Sequence, residues 1–558
     1  MRTLSLLTAA LLGVAGTAHA QQPPPSAGAL VQQIPPPAQR ESQSRIDLVE
    51  PRAEEVREPV TDGARVPVSA LRVTGATVFS EAELIAETGV VAGSALTLAE
   101  LRNAAAAITD LYTRNGYFLA RAYLPAQDVS AGIVTITVVE GRYGDQTLRN
   151  GSRLNDGVAS ALLDRPALQP GQVVAIAPLE RSLLLLADTP GVIVRSTLSP
   201  GSAPGTSDLT IDLADGPRVS GSIEADNVGD RYTGRYRFGG SIDLNNPTGA
   251  GDLASLRLLA SGHGLAYGRA AYQRPFGETT VGVAYSHIDY TLGREFSALD
   301  AGGSADILGV FASYPILRSR RANITLFGGF DHKWLRDDID LVSQSARKTI
   351  DAASIGVRSE AVDDFGGGGI TAWSVIWTAG VLDIRSPLER AADAGTADSH
   401  GGFGKLQYSL ARTQNLVGPL SLYGALRGQI ATANLDSTEK MELGGAYAVR
   451  AYPEGEAYGD EGYVATVEAR LVLDQWAPAL PGSLQAIAFV DWGEVDVAQS
   501  PWFPGSNSEE RSGAGAGLVW QGDSDLIARV TWARRGDQIT TSGPDRRDRV
   551  SFQIVQLF

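Results

Sequence analysis

The side chains able to do covalent chemistry are few and badly placed for it. Across 558 residues there is no cysteine, which removes thiol catalysis, disulfides and thiolate metal sites together. The histidines, His19, His263, His287, His332 and His400, are scattered, and no pair has metal-ligand spacing. No G-x-S-x-G, H-E-x-x-H or P-loop pattern occurs. Gly513, Gly515 and Gly517 form a loose glycine run, but in an alternating strand context with no helix after it, which does not read as a phosphate loop. Asp and Glu pairs are numerous in loops, and none points to a glycosidase dyad. The chain is expected to have no catalytic residue, no metal and no cofactor. What remains is recognition chemistry. Arg450 carries a planar guanidinium that can grip a carboxylate with two parallel hydrogen bonds. It lies in Val449-Arg450-Ala451-Tyr452, within the glycine- and acid-rich stretch 444–462, GGAYAVRAYPEGEAYGDEG.

Charge and targeting narrow the compartment. The formal charge is −16, and losing Arg2 with a leader makes it −17. A chain this acidic is a poor nucleic-acid binder, so none is expected as a partner. Arg2, the apolar stretch Leu4 to Gly16 and Ala18-His19-Ala20 read as a secretory signal peptide over residues 1–20. That stretch is too short to span a bilayer as a helix, and no later apolar run is long enough either. If the mature chain sits in a membrane, it does so as a barrel.

The elements that must position Arg450 fall into blocks. Residues 21–65 are a Pro-rich segment and linker: Pro23-Pro24-Pro25 and Pro35-Pro36-Pro37 bracket Ala27 to Ile34, and a charged stretch follows. Gly28 to Ile34 could form two helical turns at most, because the flanking prolines limit extension. Residues 66–142 read as β-α-α-β-β. Val68 to Val73 are a strand, and capping boxes at Ser80/Glu83 and Thr97/Glu100 open two helices. The second helix puts Leu101, Ala104, Ala105, Ile108, Leu111 and Tyr112 on one face. Strands at Phe118 to Leu124 and Ile133 to Glu140 close the unit. Residues 143–216 repeat the order, with strands at Tyr143 to Leu148, Val192 to Leu198 and Asp208 to Leu213, and helices at Asn155 to Leu163 and Pro178 to Ala187.

From 217 to 558 helical periodicity disappears. Tyr236, Phe238, Ile242 and Leu244 alternate with polar residues, as do Trp373, Val375 and Trp377, and Val467 alternates with Thr466, Glu468 and Arg470. Apolar-out, polar-in strands of about ten residues are the mark of a transmembrane barrel with a wet lumen, although a soluble sandwich shows the same period. Residues 217 to 558 number 342, so sixteen strands leave about 21 residues for each strand and its share of loop; fourteen or eighteen also fit. The chain ends RVSFQIVQLF, with Val550, Phe552, Ile554 and Phe558 on one parity. A strand ending the chain with no polar tail needs its open edge paired, which closure supplies. The expected fold is α+β domains followed by an all-β transmembrane barrel of sixteen antiparallel strands.

Four motifs in order give a family resemblance over residues 66 to 558. The stretch 444–462 resembles loop six of two-partner secretion transporters (TpsB type), within the superfamily of barrel-assembly insertases. The family core V-R-G-Y stands here as Val449-Arg450-Ala451-Tyr452, with Ala in place of Gly, and Gly455, Glu456, Gly459, Asp460 and Gly462 match downstream. The second motif, F-x-D-x-G, is Phe489-Val490-Asp491-Trp492-Gly493. Asn245-Asn246-Pro247 through Gly251-Asp252 resembles the first outer hairpin. Asn115-Gly116-Tyr117 through Val139-Glu140-Gly141-Arg142 is similar to POTRA domains, the periplasmic modules that precede such barrels.

The resemblance implies an outer-membrane pore of a Gram-negative bacterium with its POTRA domains in the periplasm. The pore would recognise an unfolded partner, a TpsA-like exoprotein, and pass it to the cell surface. Lipid, lipopolysaccharide and the barrel-assembly machinery would be further partners, and the strand ending Phe552, Ile554, Phe558 resembles the C-terminal assembly signal of such barrels. The alternatives are a barrel-assembly insertase of the same superfamily or a passive porin. The resemblance also pairs Arg450 with Asp491. Gln485, Ile487 and Phe489 share the parity of Asp491, and that parity is not clearly lumenal in the sequence. In the family an N-terminal helix can plug the pore; the short, proline-flanked segment here leads to the expectation of a weak or absent plug.

Overall fold

The computed structural model describes residues 25–35, 48–49 and 65–558. The proposed signal peptide and most of the 21–65 segment lie outside the described residues.

The first α/β unit has both expected capping boxes, at Ser80/Glu83 and Thr97/Glu100. Helix Leu98–Arg114 buries Leu101, Ala104, Ala105, Ile108 and Tyr112 against the sheet. The strand expected at Val68 to Val73 is two strands. Arg65–Val68 pairs with Ser94–Thr97, which the sequence reading missed, and Ala70–Thr74 pairs with Ile133–Val139. The break is at Ser69, where the N–H groups of Ser69 and Ala70 both donate to the Gly132 carbonyl, at 2.7 and 3.2 Å. The strand expected at Phe118 to Leu124 shrinks to Arg121–Tyr123 at the sheet edge. Glu140 is buried at the end of this unit. It accepts from the Thr77 and Val78 N–H groups, the Tyr112 hydroxyl and Arg142, the first residue of the next strand.

The second unit follows the expected order: Arg142–Gly151, Asp156–Leu163, Ile176–Ala187, Val192–Pro200 and Thr206–Asp215. Its sheet gains a strand from elsewhere. Leu48–Val49 pairs in parallel with Val192–Pro200, at the edge. The unit is pinned to turns at one end of the barrel by ion pairs: Arg165 and Arg181 to Glu278, Arg318 to Asp188, Arg320 to Glu180.

The barrel is closed and has sixteen antiparallel strands, running from Val219–Asp226 to Asp548–Leu557. Every strand is antiparallel to its neighbours, and the last pairs with the first from Ser222↔Leu557 to Asp226↔Gln553. The Phe558 backbone bonds both ways with Gly221, so the chain terminus is part of the seam. Strand lengths depart from the expected ten residues: the sixth to eighth, Ala301–Arg318, Ala322–Ile339 and Gln344–Asp363, reach eighteen to twenty. The outward face carries the predicted apolar residues, Tyr236, Phe238, Trp373, Val375, Trp377 and Val467 among them, all exposed as a lipid-facing surface requires. Val550, Ile554 and Phe558 are exposed on that face as well.

Candidate functional site in the barrel lumen

The segment between the eleventh strand, Leu420–Ala431, and the twelfth, Glu461–Val472, does not project outward. Residues 432–460 turn back into the lumen. A short ribbon, Met441–Glu442 against Tyr458–Gly459, forms its stem. The tip is tightened by the Val449 N–H donating to the Leu443 carbonyl and the Tyr452 N–H to Val449. Val449 and Tyr452 are wholly buried and pack with Ile487 and Phe489 of the thirteenth strand, Ser483–Asp496. This settles the ambiguous parity. Ile487, Phe489 and Asp491 face inward although two of them are apolar, because the folded loop gives them an apolar neighbour there.

Arg450 lies at the tip, held on three sides. Its Nε and Nη2 donate to the two carboxylate oxygens of Asp491, each at 2.8 Å, and its backbone N–H adds a third bond to that carboxylate. Its Nη1 donates to Glu468 at 2.6 Å. Its guanidinium lies over the Phe489 ring, 3.4 Å from the centroid, so one group takes ion pairs in its plane and an aromatic face beneath it. Thr466 donates to Asp491 and Arg470 to Glu468, which fixes both acceptors. Asp491 and Glu468 are almost fully shielded from solvent. Glu468 was missed as a partner. Its only signal in the sequence was its place on the polar parity of the twelfth strand.

The remaining motif residues support this loop. Glu456 is buried and accepts from Arg511, Thr541 and Ser542, joining the loop to the fourteenth strand, Ser508–Gln521, and to the segment after the fifteenth. Asp460 accepts from Lys440 at 2.5 Å and from the Leu435 and Gln499 N–H groups. Gly455 has φ +76°, a conformation suited to glycine, and donates to Glu442. Gly459, Gly462 and Gly493 stand where a Cβ would run into backbone oxygens 2.4–2.7 Å away. On the far wall, Asp436 meets Lys348, and Glu439 meets Lys333 and Lys405. The loop is therefore stapled across the lumen at both ends.

Ala451, the departure from V-R-G-Y, has a structural answer. A Cβ at Gly513 would lie only 2.4 Å from the Ala451 methyl. The bare glycine leaves the room that the extra methyl takes. Gly513 is thus a low floor under the loop. Gly513→Ala is expected to loosen the loop, and Ala451→Gly in the same chain should restore it. Protease sensitivity of residues 444–456 reports the loosening; no rescue by the double variant contradicts the pairing.

The lumen also holds a second segment, a short helix where a weak or absent plug was expected. Helix Ala27–Gln32 is as short as expected, yet Ala27, Ala29 and Leu30 are buried against the fifth to seventh strands. Ser26 caps it and meets Ser437 Oγ at 2.7 Å, and the Ala27 N–H donates to Asp337 at 2.7 Å. Gln33 donates to Tyr458, while Arg237 and Arg257 donate to the carbonyls of Gln33 and Pro35. The prolines stop the helix from growing. The lumen wall and the loop supply the contacts that length would otherwise give.

Comparison with known proteins agrees with this geometry. The family model described as haemolysin secretion/activation protein ShlB/FhaC/HecB matches residues 205–519. The chain belongs to that family. A ShlB-type POTRA model matches residues 66–141. The chain is 29% identical over 479 residues to the heme/hemopexin transporter protein HuxB of Haemophilus influenzae (strain 86-028NP), covering 83% of this chain and 82% of that one. It is 24% identical over 450 residues to the outer membrane transporter CdiB of Dickeya dadantii (strain 3937), covering 78% and 75%. The solved structure of CdiB from Escherichia coli superposes with a TM-score of 0.70 at 22% identity, covering 93% of this chain and 95% of that one. As a member of this family the chain is a two-partner secretion transporter. It is an outer-membrane barrel with periplasmic POTRA structure, and it translocates a secreted partner protein to the cell surface.

Proposed function

We propose that export runs from the periplasmic units, through the cleft beneath the barrel, into a lumen cleared of both its plug and its inner loop. Residues 66–142 and 143–216 act as two POTRA domains, and 217–558 as the barrel. The units hold the unfolded partner as an added strand on a sheet edge, where backbone hydrogen bonds tolerate any sequence. The partner enters through the cleft of about 930 Å³ between Leu162, Leu185 and Thr189 of the second unit and Arg274, Phe276 and Arg358 of the barrel mouth. Folding outside supplies direction. The observation that carries this reading is the filling of the lumen: among the described residues it holds the helix Ala27–Gln32 and residues 432–460, kept there by non-covalent contacts that can be exchanged.

Arg450, gripped by Asp491 and Glu468 over Phe489, sets the resting position of the loop. Val449 and Tyr452 seat the tip, and Gly455, Glu456, Gly459, Asp460 and Gly462 hold its stem. The outward apolar face meets lipid and lipopolysaccharide, and the strand carrying Phe552, Ile554 and Phe558 is read by the barrel-assembly machinery. We assign no enzymatic step; a substrate screen on the purified protein that found an activity abolished by one Asp or Ser substitution would contradict this. Deleting residues 66–215 tests the reading. The partner is expected to vanish from the cell surface while the barrel still reaches the outer membrane, because all its strands lie downstream. Normal secretion by the deletion variant would overturn the role of the periplasmic units.

A further inference from the structure

Three arginines stand side by side on the outward wall of the barrel, at the end away from the turns that meet the second α/β unit. Arg336 on the seventh strand is the register partner of Arg347 on the eighth. The ninth strand, Gly369–Ile384, sets Ile384 opposite Lys348. The next residue, Arg385, therefore falls opposite Arg347, and its N–H donates to the Arg347 carbonyl at 2.9 Å. All three face outward. Arg336 shares the parity of exposed Phe330 and Trp334, whereas its neighbour Asp337 takes the Ala27 N–H inside the lumen. Lys348, beside Arg347, reaches Asp436 of the inner loop, and Ile384, beside Arg385, is buried with Leu30. Cross-strand neighbours are about 5 Å apart, and like charges directly opposite one another destabilise a sheet. The nearby carboxylates do not cancel the row. Asp338 takes one donor of Arg336 at 2.7 Å, and Asp351, deeper in the wall, is held by His332. Asp383 is bonded by Arg390 at 3.1 Å and lies 3.8 Å from Arg385, which also touches the Thr349 hydroxyl at 3.5 Å. Among the described residues the Arg347 guanidinium makes no ion pair. By contrast Arg534, outward on the fifteenth strand, Leu526–Arg535, stands opposite Asp548 and pairs with it at 2.9 Å.

We propose that Arg336, Arg347 and Arg385 form a binding site for the phosphorylated lipid anchor of lipopolysaccharide, with its phosphates across the three guanidiniums and its acyl chains down the apolar wall beneath them. The proposal rests on the outer-membrane reading above and adds to it a place and a headgroup chemistry. With the α/β units in the periplasm, the row lies at the cell-surface end of the strands. The row spans two strand spacings, about 10 Å. A guanidinium grips phosphate oxygens two at a time, and its five donors leave room for contacts to Asp338 or Thr349 as well. A headgroup with a single phosphate answers one or two of these groups, whereas a headgroup with two phosphates answers the row. Trp334 stands two residues below Arg336 on the seventh strand, where an aromatic belongs at a membrane interface. Below it come Leu308, Phe330, Val310 and Val381, all exposed. A free phosphate has no use for that apolar wall; an acylated phosphate does. Once bound, the anion turns the repulsion along the row into attraction on both sides of it.

The test uses full-length mature protein, purified in detergent and freed of lipid. Diphosphoryl lipid A is the probe, with monophosphoryl lipid A and phosphatidylglycerol as comparisons. In native mass spectrometry wild type should retain the diphosphoryl form best. The variant Arg336→Gln with Arg347→Gln and Arg385→Gln should bind it at least about tenfold more weakly, having lost its charge-assisted bonds. Equal binding by the two proteins, or equal binding of phosphatidylglycerol and lipid A by wild type, would overturn the site. Arg534→Gln, on the same outward face, should bind as wild type does. A loss as large as that of the triple variant would put the attraction in the whole rim and refute the row. Melting separates a lipid site from a structural one. Without lipid, Arg347→Gln should melt no lower than wild type, because it relieves repulsion. With lipid A, wild type should gain stability and the triple variant should not. A lower melting point for lipid-free Arg347→Gln would show that the arginine serves the fold, against the proposal. If wild type binds no lipid A but is recovered with the outer membrane, the site fails and the outer-membrane reading stands. A barrel found elsewhere in the cell would sink that reading itself.

Discussion

Arg450→Ala abolishes secretion, or reduces it by more than tenfold, while the barrel folds and inserts as before. That is the expected result, because the substitution touches no strand yet removes three hydrogen bonds and an aromatic contact at the tip of the lumen loop. The backbone bond to Asp491 survives; the three side-chain bonds do not. Asp491 is then left buried without its cation, while Glu468 keeps Arg470 alone, a loss of about 3–5 kcal/mol in loop anchoring for a shielded pair. Asp491→Ala should give a similar loss. Glu468→Ala should be milder, since it removes one contact of the guanidinium and leaves the two-pronged one. The double variant Arg450→Ala with Asp491→Ala should be little worse than either alone, because the paired groups are not independent. Arg450→Lys should fail in part, as an ammonium cannot bridge both oxygens of Asp491 and also reach Glu468. Surface-exposed partner measured against heat-resistant folded barrel separates these cases. Full secretion by both single variants at Arg450 and Asp491 would remove the functional role of the pair.

A second large effect is expected at the plug. Gly28 faces the inner loop so closely that a Cβ there would stand 2.4 Å from the Thr438 hydroxyl and 2.8 Å from its backbone nitrogen. Gly28→Val therefore acts as a wedge that the backbone of the loop cannot simply sidestep. Conductance in planar bilayers should rise several-fold, approaching that of a version starting near residue 66. Conductance of both versions equal to the wild type would show that the helix does not close the pore.

Much of this was legible in the residues. Alternation of outward aromatic and aliphatic residues with polar ones depends only on the local contrast between lipid and a wet lumen, so Trp373, Val375 and Trp377 could be placed without coordinates. Capping boxes are equally local, and Ser80/Glu83 and Thr97/Glu100 form as read. What failed depends on distant partners. The inward direction of Asp491 was hidden because Ile487 and Phe489 look lipid-facing until the loop covers them. Glu468 could not be told from other lumen carboxylates, since its partner lies 18 residues upstream on a folded-back tip. The seat of the short helix was hidden for the same reason: its contacts are with Asp337, Ser437, Tyr458, Arg237 and Arg257, each hundreds of residues away. Ser69 breaks a strand through a bond to Gly132 that no local pattern reveals. The replacement of glycine by Ala451 became intelligible only once Gly513 was seen opposite it.

The central claim is that the exported chain passes through a lumen from which the helix and the inner loop must part. The absence of cysteine from the whole chain allows a direct test. Ser26 and Ser437 place their hydroxyl oxygens 2.7 Å apart, close enough for a disulfide when both are changed to cysteine, given the longer Cβ–S bond and the S–S length of about 2.0 Å. Secretion by cells carrying Ser26→Cys with Ser437→Cys should stop under oxidising conditions and return on reduction, with each single variant unaffected. Undiminished secretion by the fully cross-linked protein would contradict the account.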